Sequence, residues 1–196
     1  MRLRVNIQYL PDGVGADVGS SRLNRPVFLI GFMGVGKSSV ASQLSRMLEA
    51  PVWEMDACIE ERENLTIPEI FSRCGEDYFR EVEHTVLEEL GSGPQIISCG
   101  GGVPMRRDNV ESMHALGVTV LLTAEPETIY ERVRHDDNRP LLRGNMNVAY
   151  IAQLMEQRRE RYEAAADCSV TTAGKSVEEL CREILALLRE RGICTS

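Results

Sequence analysis

This chain contains no apolar run of about 18 residues, so nothing in it is expected to span a membrane. The first residues have no apolar segment of the secretory-signal kind, and the expected compartment is the cytoplasm. Cysteine occurs six times, at 58, 74, 99, 168, 181 and 194, without a C-x-x-C pair or metal-ligand spacing. That scatter argues against a zinc site and reads as reduced, core-filling thiols. Positive charge is short: 22 Lys and Arg stand against 30 Asp and Glu, a formal net charge of −8. No face is expected to be broadly basic, which argues against nucleic acid as a partner. If such a protein binds anions, its cations must be placed locally, so single arginines carry information. At 196 residues and 43% hydrophobic, the chain suits one domain with a full core.

What is present begins with Gly31-Phe32-Met33-Gly34-Val35-Gly36-Lys37-Ser38. The apolar run Val27-Phe28-Leu29-Ile30 precedes it, and a helical pattern with Val40, Leu44, Met47 and Leu48 on one face follows. Strand, glycine loop and helix form the setting of a G-x-x-x-x-G-K-S phosphate loop. Glycines let consecutive N–H groups turn toward an anion, and the helix N-terminus adds partial positive charge. Lys37 would reach the β- and γ-phosphates, and the Ser38 hydroxyl would ligate Mg²⁺. Gly34, Val35, Gly36 and Ser39 complete the expected nucleotide contacts. An ordinary glycine-rich turn is the plain alternative; the pattern arises by accident in on the order of one chain in a hundred. The expectation is a site for a nucleoside triphosphate.

Residues 1–25 read as an extension outside the fold, expected to be disordered, with a cap on the sheet edge as the alternative. Further strands are expected at 51–56, 95–98, 118–122 and 168–172. Helices are expected from 57, over 66–75 with Thr66 and Glu69 as a capping box, and over 76–90, 106–116, 125–134, 148–164 and 176–191. The polar segment 135–147 reads as a mobile lid. Strands alternating with helices give a three-layer α/β/α domain over 26–192 with a five-stranded parallel sheet. Ligands should gather outside the C-terminal ends of its strands.

Asp56 ends the second strand, where it could take a proton from a substrate hydroxyl or join the Mg²⁺ shell, or simply cap a helix. Glu54 points the same way if the strand is regular. Arg80 and Glu83, three apart on one helix, read by themselves as a surface ion pair, and Glu76 fits the same role. Arg158 falls on the stripe of Ile151, Leu154, Met155 and Tyr162, where an arginine needs an anion, either an internal carboxylate or a ligand. Gly100, Gly101 and Gly102 follow a strand and suggest close approach to a ligand, or a tight turn alone. Arg139 is the natural cation to stand over a transferring phosphoryl group. Arg132 and Arg134 read as exposed.

Taken together, the chain resembles the shikimate kinase family. The matching residues are Gly31 to Ser38, Asp56 within Asp56-Ala57-Cys58-Ile59-Glu60, Phe79-Arg80-Glu81-Val82-Glu83, and Gly100-Gly101-Gly102. To these add Arg139-Pro140-Leu141-Leu142, and Arg158 with Tyr162. The resemblance covers about residues 26 to 190 and implies the architecture of small P-loop kinases. It implies Mg²⁺-dependent transfer of the ATP γ-phosphate to the 3-hydroxyl of shikimate, in the synthesis of chorismate and aromatic amino acids. It assigns the base to Asp56, the substrate carboxylate to Arg80 and Arg158 beside the glycine loop, and the phosphoryl group to Lys37 and Arg139. Arg132 then lies near adenine, and Lys175 near the second adenine-side segment. ATP and shikimate are the expected partners, with no nucleic acid and no membrane, and a monomer is the expected state.

One departure stands out. The family usually carries Asp-x-Asp where this chain has Glu54-x-Asp56, which keeps the charge but lengthens the first acid that the family associates with the Mg²⁺ water shell. Two rivals remain at this level: a related kinase acting on gluconate, and a nucleotide-binding homologue that has lost catalysis.

Overall fold

The computed structural model describes residues 22–134 and 145–195. Its strands are β1 (Val27–Ile30), β2 (Val52–Glu54), β3 (Ile96–Ser98), β4 (Val118–Thr123) and β5 (Cys168–Thr171). They form one parallel sheet in the order β2-β3-β1-β4-β5. All four residues of β1 are fully buried, as an unbroken apolar run demands of a central strand covered on both faces. Phe28 stands opposite Ile97 on one side and Thr119 on the other. The chain leaves β1 for neighbours on opposite sides, and that switch opens a crevice at the strands' C-terminal ends.

The helices are α1 (Lys37–Leu48), α2 (Met55–Glu63), α3 (Ile67–Glu89), α4 (Arg107–Leu116), α5 (Pro126–Val133), α6 (Val148–Ala165) and α7 (Val177–Glu190), with a 3-10 turn at Val103–Met105. Helix α7 buries Leu180, Ile184 and Leu188 and packs on α1. Ser176 and Glu179 close its N-terminus in a capping box. No described helix is long and apolar enough to cross a membrane.

Three local differences from the sequence reading bear on the site. Strand β2 stops at Glu54, because Met55, fully buried, is already the first residue of α2. Asp56 therefore lies inside the first turn of α2, and Glu54 holds the cap position that Asp56 was expected to offer. The helices expected at 66–75 and 76–90 run on as α3, broken at Gly75 (φ 86°, ψ 172°). The edge of the fold also lies further out than 26–192. Leu23 is buried and bridges to Cys194, Asn24 N donates to Ile193 O at 3.1 Å, and Thr195 N donates to Arg22 O at 3.0 Å. The reason is apolar contact: Leu23, Ile193 and Cys194 all join the core. Residues 1–21 and most of the expected lid, Arg139 included, lie outside the described residues.

Candidate active site

The loop between β1 and α1 needs its glycines for space as well as for conformation. Gly34 has φ 74°, and a Cβ there would stand 2.5 Å from Val133 Cγ1. Gly31 has φ 143°, and its Cβ would meet Leu122 O at 2.4 Å. With those contacts met by glycine, the loop turns its backbone and the N-terminus of α1 toward a cavity of about 440 Å³. Gly34, Val35, Gly36, Lys37, Ser38 and Ser39 form one wall, and Glu54, Asp56 and Gly101 form another. Lys37 Nζ donates to Gly31 O at 2.9 Å and to Phe32 O at 3.1 Å, so it lies along the loop. Ser38 Oγ donates to Glu54 Oε2 at 2.9 Å. Burial pushes the Glu54 carboxyl above its usual range, against the pull of the Ser98 and Ser38 hydroxyls.

By itself Arg132 read as exposed, and the family resemblance put it near adenine. It is exposed, but Nη1 donates to Val35 O at 3.0 Å and Gly34 O at 3.2 Å, which ties α5 to the loop. Arg134 makes a surface pair with Glu131. Thr172 and Lys175 close the same end of the cavity, the latter paired with Glu183. Neither Thr172 nor Ser98 carried a signal in the sequence beyond its place after or in a strand.

At the other end, Gly100, Gly101 and Gly102 follow β3, and the space around them explains all three. A Cβ on Gly100 would meet Glu83 Oε1 at 2.8 Å and Asp56 Oδ1 at 2.9 Å. One on Gly102 would stand 1.9 Å from Arg80 Nη1. Gly101 O accepts a hydrogen bond from Tyr162 Oη at 2.6 Å. The glycine turn thus touches Asp56 of α2, Arg80 and Glu83 of α3, and Tyr162 of α6. Asn109, fully buried on α4, donates to Val103 O at 3.0 Å and contacts His84 Nδ1 at 2.7 Å, which pins the turn from behind.

The Arg80–Glu83 pair is no surface pair. Arg80 Nη1 donates to Glu83 Oε2 at 2.9 Å, and the Glu83 side chain is only 1% exposed. Its Oε1 is buried without a hydrogen-bond partner among the described residues. Burial pushes the Glu83 carboxyl up to about 7, with Arg80 pulling the other way. A trace of this was legible: Glu83 stands four residues after Phe79 and three before Val86, on the buried stripe.

Arg158 is half-buried, as its stripe required, with Ile151 and Tyr162 buried beside it. Among the described residues its neighbours are the Phe32 ring, 6.0 Å from Cζ to centroid, and the Tyr162 hydroxyl, not a carboxylate. Burial raises Tyr162 to about 12, and Arg158 opposes the shift. Among the described residues no cluster of three or more His, Cys, Asp or Glu could hold a metal by itself. The cavity brings the loop backbone, Lys37 and Ser38 to one side and the carboxylates of Glu54 and Asp56 to the other, with Gly101 of the glycine turn at its border.

Relatives of known family are similar to this chain in sequence and fold. The shikimate kinase family model matches residues 33–189. A shikimate kinase of Dehalococcoides mccartyi is 44% identical over 84% of this chain and 93% of its own length. The structure of a shikimate kinase from Acinetobacter baumannii in complex with shikimate superposes with a TM-score of 0.82, at 31% identity over 86% of this chain and 94% of that one. A gluconokinase from Sinorhizobium meliloti, at 20% identity and a TM-score of 0.57 over 87% of this chain and 94% of its own, shares the fold alone. A family model that runs from the phosphate loop to the last turn of α7, with relatives matched over nearly their whole length, places this chain in the shikimate kinase family.

Proposed function

We propose that this chain transfers the γ-phosphoryl group of ATP to the 3-hydroxyl of shikimate, within the crevice just described. The observation that carries the reading is the meeting of Arg80 and Asp56 at Gly100-Gly101-Gly102, a turn that also borders the Lys37 cavity. The amides of Gly34 to Ser39 hold the phosphates, and Lys37 leaves its loop carbonyls to neutralise the transferring group. Arg80 and Arg158 grip the substrate carboxylate, Gly100 to Gly102 let it approach, and Asp56 orients the attacking hydroxyl and takes its proton. Arg132 borders the adenine end with Lys175. Arg139 is assigned to the phosphoryl group on its motif alone.

The residues also fit Mg²⁺. Ser38 and Glu54 already share a hydrogen bond at the cavity wall, both are oxygen donors, and Mg²⁺ keeps waters and phosphate oxygens for its remaining positions. When bound it would neutralise charge on the β- and γ-phosphates. Glu54 would hold its water shell, one methylene longer than the family's usual acid. The cytoplasm is the proposed compartment, in keeping with six free cysteines. A monomer is proposed because one chain carries every group named.

Coupled ADP release measured with shikimate, with gluconate and with no acceptor tests the reading. Turnover is expected with shikimate alone and is expected to stop with EDTA. Turnover with gluconate only would replace the substrate, and none in any tube would point to a homologue without catalysis.

A further inference from the structure

Arg80 is held by two carboxylates that treat it differently. Glu83 grips Nη1 from a buried position, and the guanidinium is wedged against the Gly102 backbone and lies 5.1 Å from the Phe79 ring centroid. Those three contacts orient it without further help. Glu76 Oε1 instead accepts from Nη2 at 2.9 Å and from Nε at 3.3 Å. Nε and Nη2 form the side edge of the guanidinium, one of the edges that meets a carboxylate as a fork. The Glu76 side chain is 51% exposed, and it is the first residue after the break at Gly75. Its described contact is this one exposed i,i+4 pair, of a kind worth little.

We propose that Glu76 is an internal stand-in for the substrate carboxylate: it takes the side edge of Arg80 and is displaced when shikimate binds, so that it sets the affinity for an acid at this position. The inference rests on the reading of Arg80 as a ligand of the substrate carboxylate. It assigns opposite parts to the two glutamates, with Glu83 a fixed positioning residue and Glu76 a competitor. An anchoring role for Glu76 would predict the reverse effect on affinity, since its removal would then loosen Arg80.

The test is a titration of wild type and Glu76→Gln with shikimate and with its methyl ester, alongside steady-state kinetics. Glutamine keeps the length and helix propensity of glutamate, so folding is not at issue at this exposed site. Glu76→Gln is expected to bind shikimate about two- to fivefold tighter, with KM lowered alike and kcat unmoved. The ester, which lacks the charge, should bind both proteins equally. Unchanged or weaker shikimate binding by the variant overturns the proposal, and so does equal tightening of acid and ester. Wild type that binds no shikimate at all would remove the reading of Arg80 itself, an outcome told apart by the first titration.

Discussion

Glu83 is a carboxylate whose charge this fold opposes, and its titration should be visible in stability. Its ordinary pKa of 4.5 is moved up to about 7 by burial, with Arg80 opposing. Between those values the folded chain keeps a proton that the unfolded chain has released. Stability therefore falls as pH rises from about 4.5 to about 7 and levels off above. Glu83→Gln removes the titrating group, so melting curves from about pH 5 to pH 8 should show wild type losing ground to the variant up to pH 7 and no further. Parallel curves would contradict the buried carboxyl. Under the proposed function two other residues divide the reaction between them. Arg158→Ala should weaken shikimate binding by about 10- to 100-fold and ATP binding far less, as expected for loss of a charged hydrogen-bond donor. Lys37→Ala should lower kcat by on the order of 10²- to 10³-fold and leave shikimate affinity nearly intact. Equal losses of both ligands in the Arg158 variant, or an unchanged rate in the Lys37 variant, would remove that residue from its role.

Two glycines of neighbouring elements separate space from conformation. Gly102 has an ordinary φ of −99°, yet a Cβ there would stand 1.9 Å from Arg80 Nη1 and 2.4 Å from its Cζ. Because Glu83 holds that guanidinium in place, Gly102→Ala must displace it. Shikimate affinity should fall on the order of 10- to 100-fold with the KM for ATP unmoved. Kinetics that match wild type would mean the turn yields instead. Gly75 is the converse, since among the described residues nothing lies within 4 Å of its Cβ position but φ is 86°. Gly75→Ala should cost about 1–3 kcal/mol in urea unfolding through backbone strain alone. A stabilised variant would show that the break in α3 is not held by the rest of the fold. The phosphate loop combines the two constraints at Gly34, where both φ and the contact with Val133 demand glycine.

Across the whole molecule, a net charge of −8 works against two anionic substrates, and the answer is placement rather than number. The chain has two lysines, Lys37 and Lys175, and both border the 440 Å³ cavity. Binding at such a local site should stabilise the entire fold by mass action. Shikimate at 100 times its Kd adds about 2.7 kcal/mol. For a domain of this size that is roughly 5–10 °C in Tm, read by thermal shift. The shift should shrink to about half or less in Arg80→Ala at the same concentration. Its persistence at full size there would place the ligand elsewhere.

The alternation of strands and helices, the phosphate loop and the buried stripe of α6 were legible because each is local, whereas the order of the strands across the sheet was not. Glycine spacing, an apolar run and a 3.6-residue period are properties of a few consecutive turns. The break at Gly75, the cap position of Glu54 and the packing of Leu23 against the far end of the chain were not, for they depend on which buried residue claims the core first. Periodicity says which face of α3 turns inward, but not that Glu83 there meets Arg80 on one oxygen and the Gly100 turn on the other. Only the tertiary structure decided such pairings. Tyr162 and Gly101 lie 61 residues apart, and Arg132 and Val35 lie 97 apart. No local pattern encodes a contact whose two halves are joined solely by how the helices settle on the sheet.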